Sequence, residues 1–179
     1  MSRVISKKRI NWNANWDVSQ TVNLMADVVV SEIRSGLDTK TDIKGKKFKR
    51  LKLSTVKSKK FEGYAKPSTP LFATGRMREI YVKKKATKTN LRAIVSPAQD
   101  RLKIGVYHNK GTSPYKIRPK KKGGVLVFQG SEGTVFAKSV NHPGLPQREW
   151  FGISDKAYRR MQRMFNSKLA LLLRLRRGA

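Results

Sequence analysis

The side chains that could move protons or hold metals are few: two histidines and eleven carboxylates in 179 residues, with no cysteine. An enzyme needs such groups to converge. Here no two acids stand in a D-x-D spacing, and no E-x-x-H or H-E-x-x-H occurs. Neither G-x-S-x-G nor a phosphate-binding P-loop is present. The run KKKGG at 120–124 is no phosphate loop, because the next residues, 125–128, read as a strand and not a helix. A divalent-metal nuclease gathers carboxylates around its ions, and this sequence gathers none visibly. His108 and His142 are too few for zinc without thiolate partners, and His142 runs into a Pro143-Gly144 turn. The expectation is a protein that is not an enzyme, with no cofactor and no metal.

The abundant chemistry is cationic. Lys and Arg number 41 against 11 acids, a formal charge of +30. Solubility needs a net charge of only about 2–8, so the surplus points to phosphate or acidic protein surfaces as partners. It concentrates in two places. Between residues 40 and 60 ten basic residues face one acid, Asp42, and include Lys44, Lys46, Lys47, Lys49, Arg50 and Lys52. A second cluster, HNKGTSPYKIRPKKKGG, holds Lys116, Arg118, Lys120, Lys121 and Lys122, and its prolines keep it out of a central strand.

These clusters need a scaffold. The length fits one domain. Hydrophobic residues are 38%, and with 13 glycines the apolar share is about 45%, the low end for globular chains. Part of the chain is expected to gain order from partners. Residues 1–16 read as a basic arm whose Trp12 and Trp16 bury against either a neighbouring subunit or the chain's own core. Residues 17–179 read as a single domain.

Its first element is a helix, with Asp17 as cap, Gln20 as reciprocal partner, a face of Val18, Val22, Met25, Val29 and Ile33, and Gly36 as stop. A long loop at 37–70 follows. Thr74-Gly75 makes a turn. Strands are expected at 91–95, at Leu102, Ile104 and Val106, and as a hairpin of 125–128 with 134–140. A helix at 154–176 closes the chain, capped by Ser154 or Asp155, with Tyr158, Met161, Phe165, Leu169 and Leu172 on one face and a basic opposite face. Strands grouped between helices imply an α+β fold: a small, mainly antiparallel sheet against an N-terminal and a C-terminal helix, with long basic loops. No run approaches the roughly 20 apolar residues that cross a bilayer, and the N-terminus lacks a signal-peptide core, so no membrane partner is expected.

Four segments in order carry a family resemblance: GKKFKRLKLSTVKSKK (45–60), PLFATGRMREIYV (70–82), IGVYHNKGTSPYKIRPKKKGGVLVF (104–128) and FAKSVNHPGLPQREWFGIS (136–154). Together they resemble the phage virion-morphogenesis and neck proteins, which include tail-completion, tail-terminator and head–tail connector proteins of tailed bacteriophages. The resemblance spans residues 17–176. The motif turn residues are Thr74, Gly75, His142, Pro143 and Gly144. The chain departs from the pattern at Trp150, where the family tends to place Pro and Phe after the arginine, and in its lysine content.

The resemblance implies a homo-oligomeric ring of six or twelve copies at the head–tail junction. It implies adjacent connector, portal-side and tail-tube proteins as neighbours, non-specific duplex DNA in the lumen, and a place in the virion after assembly in the host cytoplasm. Arg148, Trp150 and Phe151, with Trp12 and Trp16, are the candidate subunit contacts. Arg148 is expected to meet a carboxylate across a subunit boundary; the alternative is that Trp150 and Phe151 seat the last helix on its own sheet.

A magnitude limits the role of DNA. A lumen about 40 Å long faces roughly 24 phosphates, whereas six copies at +30 each carry 180 surplus charges. Most cations must therefore meet acidic protein or stay solvated, so the 40–60 and 110–122 loops are expected to reach neighbouring virion proteins. A free nucleic-acid-binding protein is the alternative reading.

Overall fold

The computed structural model describes residues 17–129 and 133–177. Trp12, Trp16 and the turn at 130–132 lie outside the described residues. The order is α1 (Ser19–Thr39), α2 (Leu53–Phe61), β1 (Ile80–Lys84), β2 (Ile94–Pro97), α3 (Leu102–Lys110), β3 (Tyr115–Ile117), β4 (Leu126–Gln129), β5 (Thr134–Ala137), β6 (Val140–His142) and α4 (Asp155–Arg177). The fold is α+β with a helix at each end. Among the described residues the strands pair antiparallel in three two-stranded ladders, β1–β2, β3–β6 and β4–β5, and Thr41 and Lys47 form an isolated antiparallel bridge.

Helix α1 organises the core. The Asp17 carboxylate accepts the Ser19 amide at 2.9 Å, one residue earlier than the Gln20 position of a capping box. Val29, Val30, Ile33 and Leu37 bury against Phe48, Met77, Ile80 and Trp150, with Ile80 fully enclosed. The helix does not stop at Gly36. It runs to Thr39 and ends on Lys40 in the left-handed region (φ 59), where the Gly36 carbonyl accepts the amides of Lys40 and of Thr41. Two polar side chains of α1 then fasten the first ladder. Asn23 bonds both the amide and the carbonyl of Ala86, and Arg34 donates to the Ile80 carbonyl at 2.6 Å.

Further expectations are corrected: the strand expected at 91–95 forms at Ile94–Pro97, and the expected 134–140 strand is divided, Thr134–Ala137 pairing with β4 and Val140–His142 with β3. The 37–70 stretch holds the helix α2, none of whose side chains is fully buried, so it offers no periodic apolar face to read. Residues 102–110 form a helix and not a strand; the alternation of Leu102, Ile104 and Val106 is incidental, since the buried position between them is Gly105, against Trp150. Helix α4 is capped by Ser154, whose Oγ accepts the Ala157 amide at 3.0 Å. It turns Ala157 and Met161 toward α1 and leaves Tyr158 and Phe165 largely outside.

Candidate functional site

The two sequence motifs at 104–113 and 141–151 meet face to face. The Thr112 amide donates to the Leu145 carbonyl at 3.0 Å, and the Leu145 amide donates to Thr112 Oγ1 at 2.8 Å. His142 stacks on Tyr115, and its Nδ1 accepts the Gly144 amide at 3.1 Å. Gly144 adopts φ +83, and a Cβ there would collide with the Thr112 carbonyl oxygen. Gly111 (φ +73) is equally constrained: its Cβ would lie 2.9 Å from the Leu145 oxygen. The glycines of N-K-G-T and H-P-G are thus required because two backbones cross with no room for a side chain.

Further along, the Arg148 amide donates to the His108 carbonyl at 2.8 Å. Asn109 pairs with both backbone groups of Phe151, at 3.0 and 3.2 Å.

Trp150 sits at the centre of this junction, 3% exposed, its Nε1 donating to the Gly105 carbonyl at 3.0 Å and its ring edge-on to Phe151. Arg148 is 5% exposed and spends one Nη2 contact on the Lys49 carbonyl at 3.2 Å. Both side chains, expected at a subunit boundary, are buried within the single chain, and Phe151 is half-buried on the same core. The alternative has Trp150 and Phe151 seat the last helix on its own sheet; Trp150 instead packs in the α1 core and against Gly105 of α3. No carboxylate pairs with Arg148 among the described residues.

Desolvation lowers the Arg148 pKa. It also lowers that of His108, whose buried Nδ1 has no partner among the described residues and which the Arg148 charge depresses further. Burial and the neighbouring Arg148 charge thus both favour the neutral form of His108.

The first basic cluster is fastened to this junction. Residues 40–48 form a tight hairpin in which Asp42 Oδ1 accepts the amides of Lys44 and Lys46 at 2.9 and 2.8 Å. Ile43 donates to the Glu149 carbonyl at 2.9 Å, and Lys44 pairs with the Glu149 carboxylate at 2.7 Å. Lys47 caps α1 through the Thr39 carbonyl. Lys46, Lys49, Arg50 and Lys52 project outward.

The second cluster leaves β3 with Lys116, Arg118, Lys120, Lys121 and Lys122 all exposed. Ion pairs among the described residues engage only Lys44, Arg76, Arg78, Arg101 and Lys156. Ten of the eleven candidate contact cations are therefore without an ion-pair partner there.

Thr74 lies exposed before Gly75, whose φ of +86 starts a turn of 3-10 helix at Arg76–Arg78. The residues before it are held by Lys59, which the sequence did not single out. Its Nζ donates to the Thr69 carbonyl at 2.9 Å and to the Phe72 carbonyl, and burial lowers its pKa. Asn109, Gly111 and Thr112 were equally unmarked, although all three stand in the third motif segment.

Among the described residues no cluster of three His, Asp or Glu is placed to hold a metal ion, and no helix is long and apolar enough to cross a membrane. No protein-family model, curated protein or solved structure matches the chain.

Proposed function

We propose that the protein is a structural, non-catalytic virion component that assembles as a ring at the head–tail junction of a tailed phage, joining head to tail around the DNA exit channel. The observation that carries this reading is the apolar surface left open on the chain. Phe136 is 68% exposed and Val127 58%, and Tyr158, Leu171 and Leu175 of α4 are exposed as well. Single exposed apolar residues are ordinary, but grouped ones mark contact surfaces. A chain this basic that also leaves apolar elements uncovered is built to be enclosed by other proteins.

The four motif segments support the same reading, because two of them form the interlocked junction around Trp150. That junction gives a rigid frame from which the 44–52 and 116–122 clusters extend toward acidic walls of neighbouring virion proteins, with a minority of cations facing duplex DNA. Mobile lysine contacts to phosphate are non-specific and salt-sensitive, which suits a conduit through which DNA must slide.

The exposure of those cations, ten of the eleven without an ion-pair partner among the described residues, favours a second reading, a free nucleic-acid-binding protein. Locating the chain in purified particles separates the two. The ring reading expects it to co-purify with mature virions and to label the neck. Its absence from particles, together with tight salt-dependent binding of RNA or DNA by the single chain, would favour the second.

A further inference from the structure

The β4–β5 hairpin carries apolar pairs on both faces, with the polar pair Gln129–Thr134 at its tip. Its register sets Val127 opposite Phe136 on one side, and Leu126 opposite Ala137 and Phe128 opposite Val135 on the other. The two strands pack on each other and form no extended contact with any helix or other ladder among the described elements. A lone two-stranded hairpin is marginal in water, so this one requires a surface to lie on.

The same molecule carries a complementary surface. A groove of about 440 Å³ runs between α1, β2 and the start of α4, lined by Val22, Met25, Leu91, Ile153 and Met161 with Arg92 as its one charged residue. No residue of the hairpin lines it, so within one chain the two surfaces stay apart.

Charge says which occupant the groove takes. In a chain with 41 basic residues, residues 10–33 and 123–137 contain no Lys or Arg. The first stretch supplies the α1 wall of the groove, and the second is the hairpin. These are the apolar surfaces on which two copies of a +30 chain approach without direct like-charge contact. Opposite charges stand beside these surfaces in one place, with Lys120, Lys121 and Lys122 before the hairpin and exposed Asp27 on the groove helix, while Arg92 in the groove and Lys138 after the hairpin are the cations that the seating must keep apart.

We infer that the hairpin of one copy seats its Val127–Phe136 face in the α1–β2–α4 groove of the next. This rests on the ring reading above and names its subunit contact. Two different patches make a heterologous contact, which propagates head to tail and closes into a ring when the rotation allows. A hairpin about 14 Å long covers less than the roughly 800 Å² per partner of a standard interface. The contact is therefore weak for a pair, and ring closure, which gives every copy two of them, strengthens it.

The absence of native cysteine makes the test clean. Phe136→Cys and Ile153→Cys, both at exposed positions, are prepared as separate full-length proteins and mixed under mild oxidation. The expected result is a covalent dimer formed several-fold more from the mixture than from either protein alone. Equal yields overturn the contact.

In parallel, Val127→Ser/Phe136→Ser is compared with the unsubstituted chain by sedimentation, with circular dichroism confirming the fold. Loss of assembly supports the hairpin contact. Assembly at unchanged mass overturns it and leaves the ring reading standing, whereas an unsubstituted chain that never assembles removes both. If Trp12→Ser/Trp16→Ser dissolves the assembly while the hairpin variant does not, the groove belongs to the arm and the inference fails.

Discussion

Replacing Trp150 by alanine separates a core role from an interface role more sharply than any other single change. The indole is 3% exposed, packs against Gly105 closely enough that a Cβ there would lie 2.8 Å from the ring, and donates to the Gly105 carbonyl. Removing a buried Trp costs about 3–5 kcal/mol. The lost hydrogen bond adds about 0.5–1.5 kcal/mol. A domain of this size holds roughly 5–15 kcal/mol in all, so Trp150→Ala removes a large fraction. With a urea dependence of about 2 kcal/mol per molar, the midpoint falls by about 2–3 M.

The assay is urea unfolding followed by far-ultraviolet circular dichroism, because Trp12 and Trp16 would confuse fluorescence. Trp150→Phe, which keeps a ring but not the donor, should lose about half as much. A monomer of unchanged stability that fails only in self-association would refute the reasoning and return Trp150 to a subunit boundary.

Other consequences follow from the same junction. Gly144→Ala and Gly123→Ala both place a side chain at positive φ, but only Gly144 collides with backbone. The first should lower the melting temperature severely, and the second should cost only the roughly 1–2 kcal/mol of a left-handed alanine, as thermal unfolding of the pair will show. Because His108 has a folded pKa below its ordinary 6.5, the unfolded chain binds the proton first; stability is full above about pH 6.5 and falls as pH drops through the folded value. His108→Gln should flatten that acid slope in denaturation measured from neutral pH downward. Lys59→Met removes the clamp on the Thr69 and Phe72 carbonyls, and limited chymotrypsin digestion should then cut after Phe61, Tyr64 or Phe72 while the rest of the fold survives.

The elements that the sequence displayed were those whose burial follows a helical or strand period. Helix α1 repeats apolar positions at helical spacing, with Val29 and Ile33 of that face buried, and β4 and β5 are short apolar runs on either side of a glycine-containing segment, so both were legible. Helix α2 has no fully buried side chain and is held by Lys59 and backbone contacts, leaving no pattern to find. Helix α3 is positioned by Asn109, Gly105 and the His108 carbonyl, all of them long-range partners of residues 148–151; its local alternation pointed to a strand because that pairing is invisible to periodicity. The same distance in sequence hid the burial of Arg148 and Trp150. Motif chemistry marked Gly144, which does take a positive φ, but His142 ends strand β6 opposite Tyr115 instead of lying in the turn, and nothing in the motif signalled that Gly144 presses on Thr112.

Salt makes the central claim most directly measurable. Surplus charge holds like copies apart at low ionic strength, and screening shortens from about 30 Å at 0.01 M to 3 Å at 1 M. Native mass measurement with negative-stain imaging of the full-length protein across that range should show single chains at low salt giving way to closed rings of one fixed copy number, six or twelve, at high salt. Single chains throughout, or open aggregates of no defined number, would contradict the account.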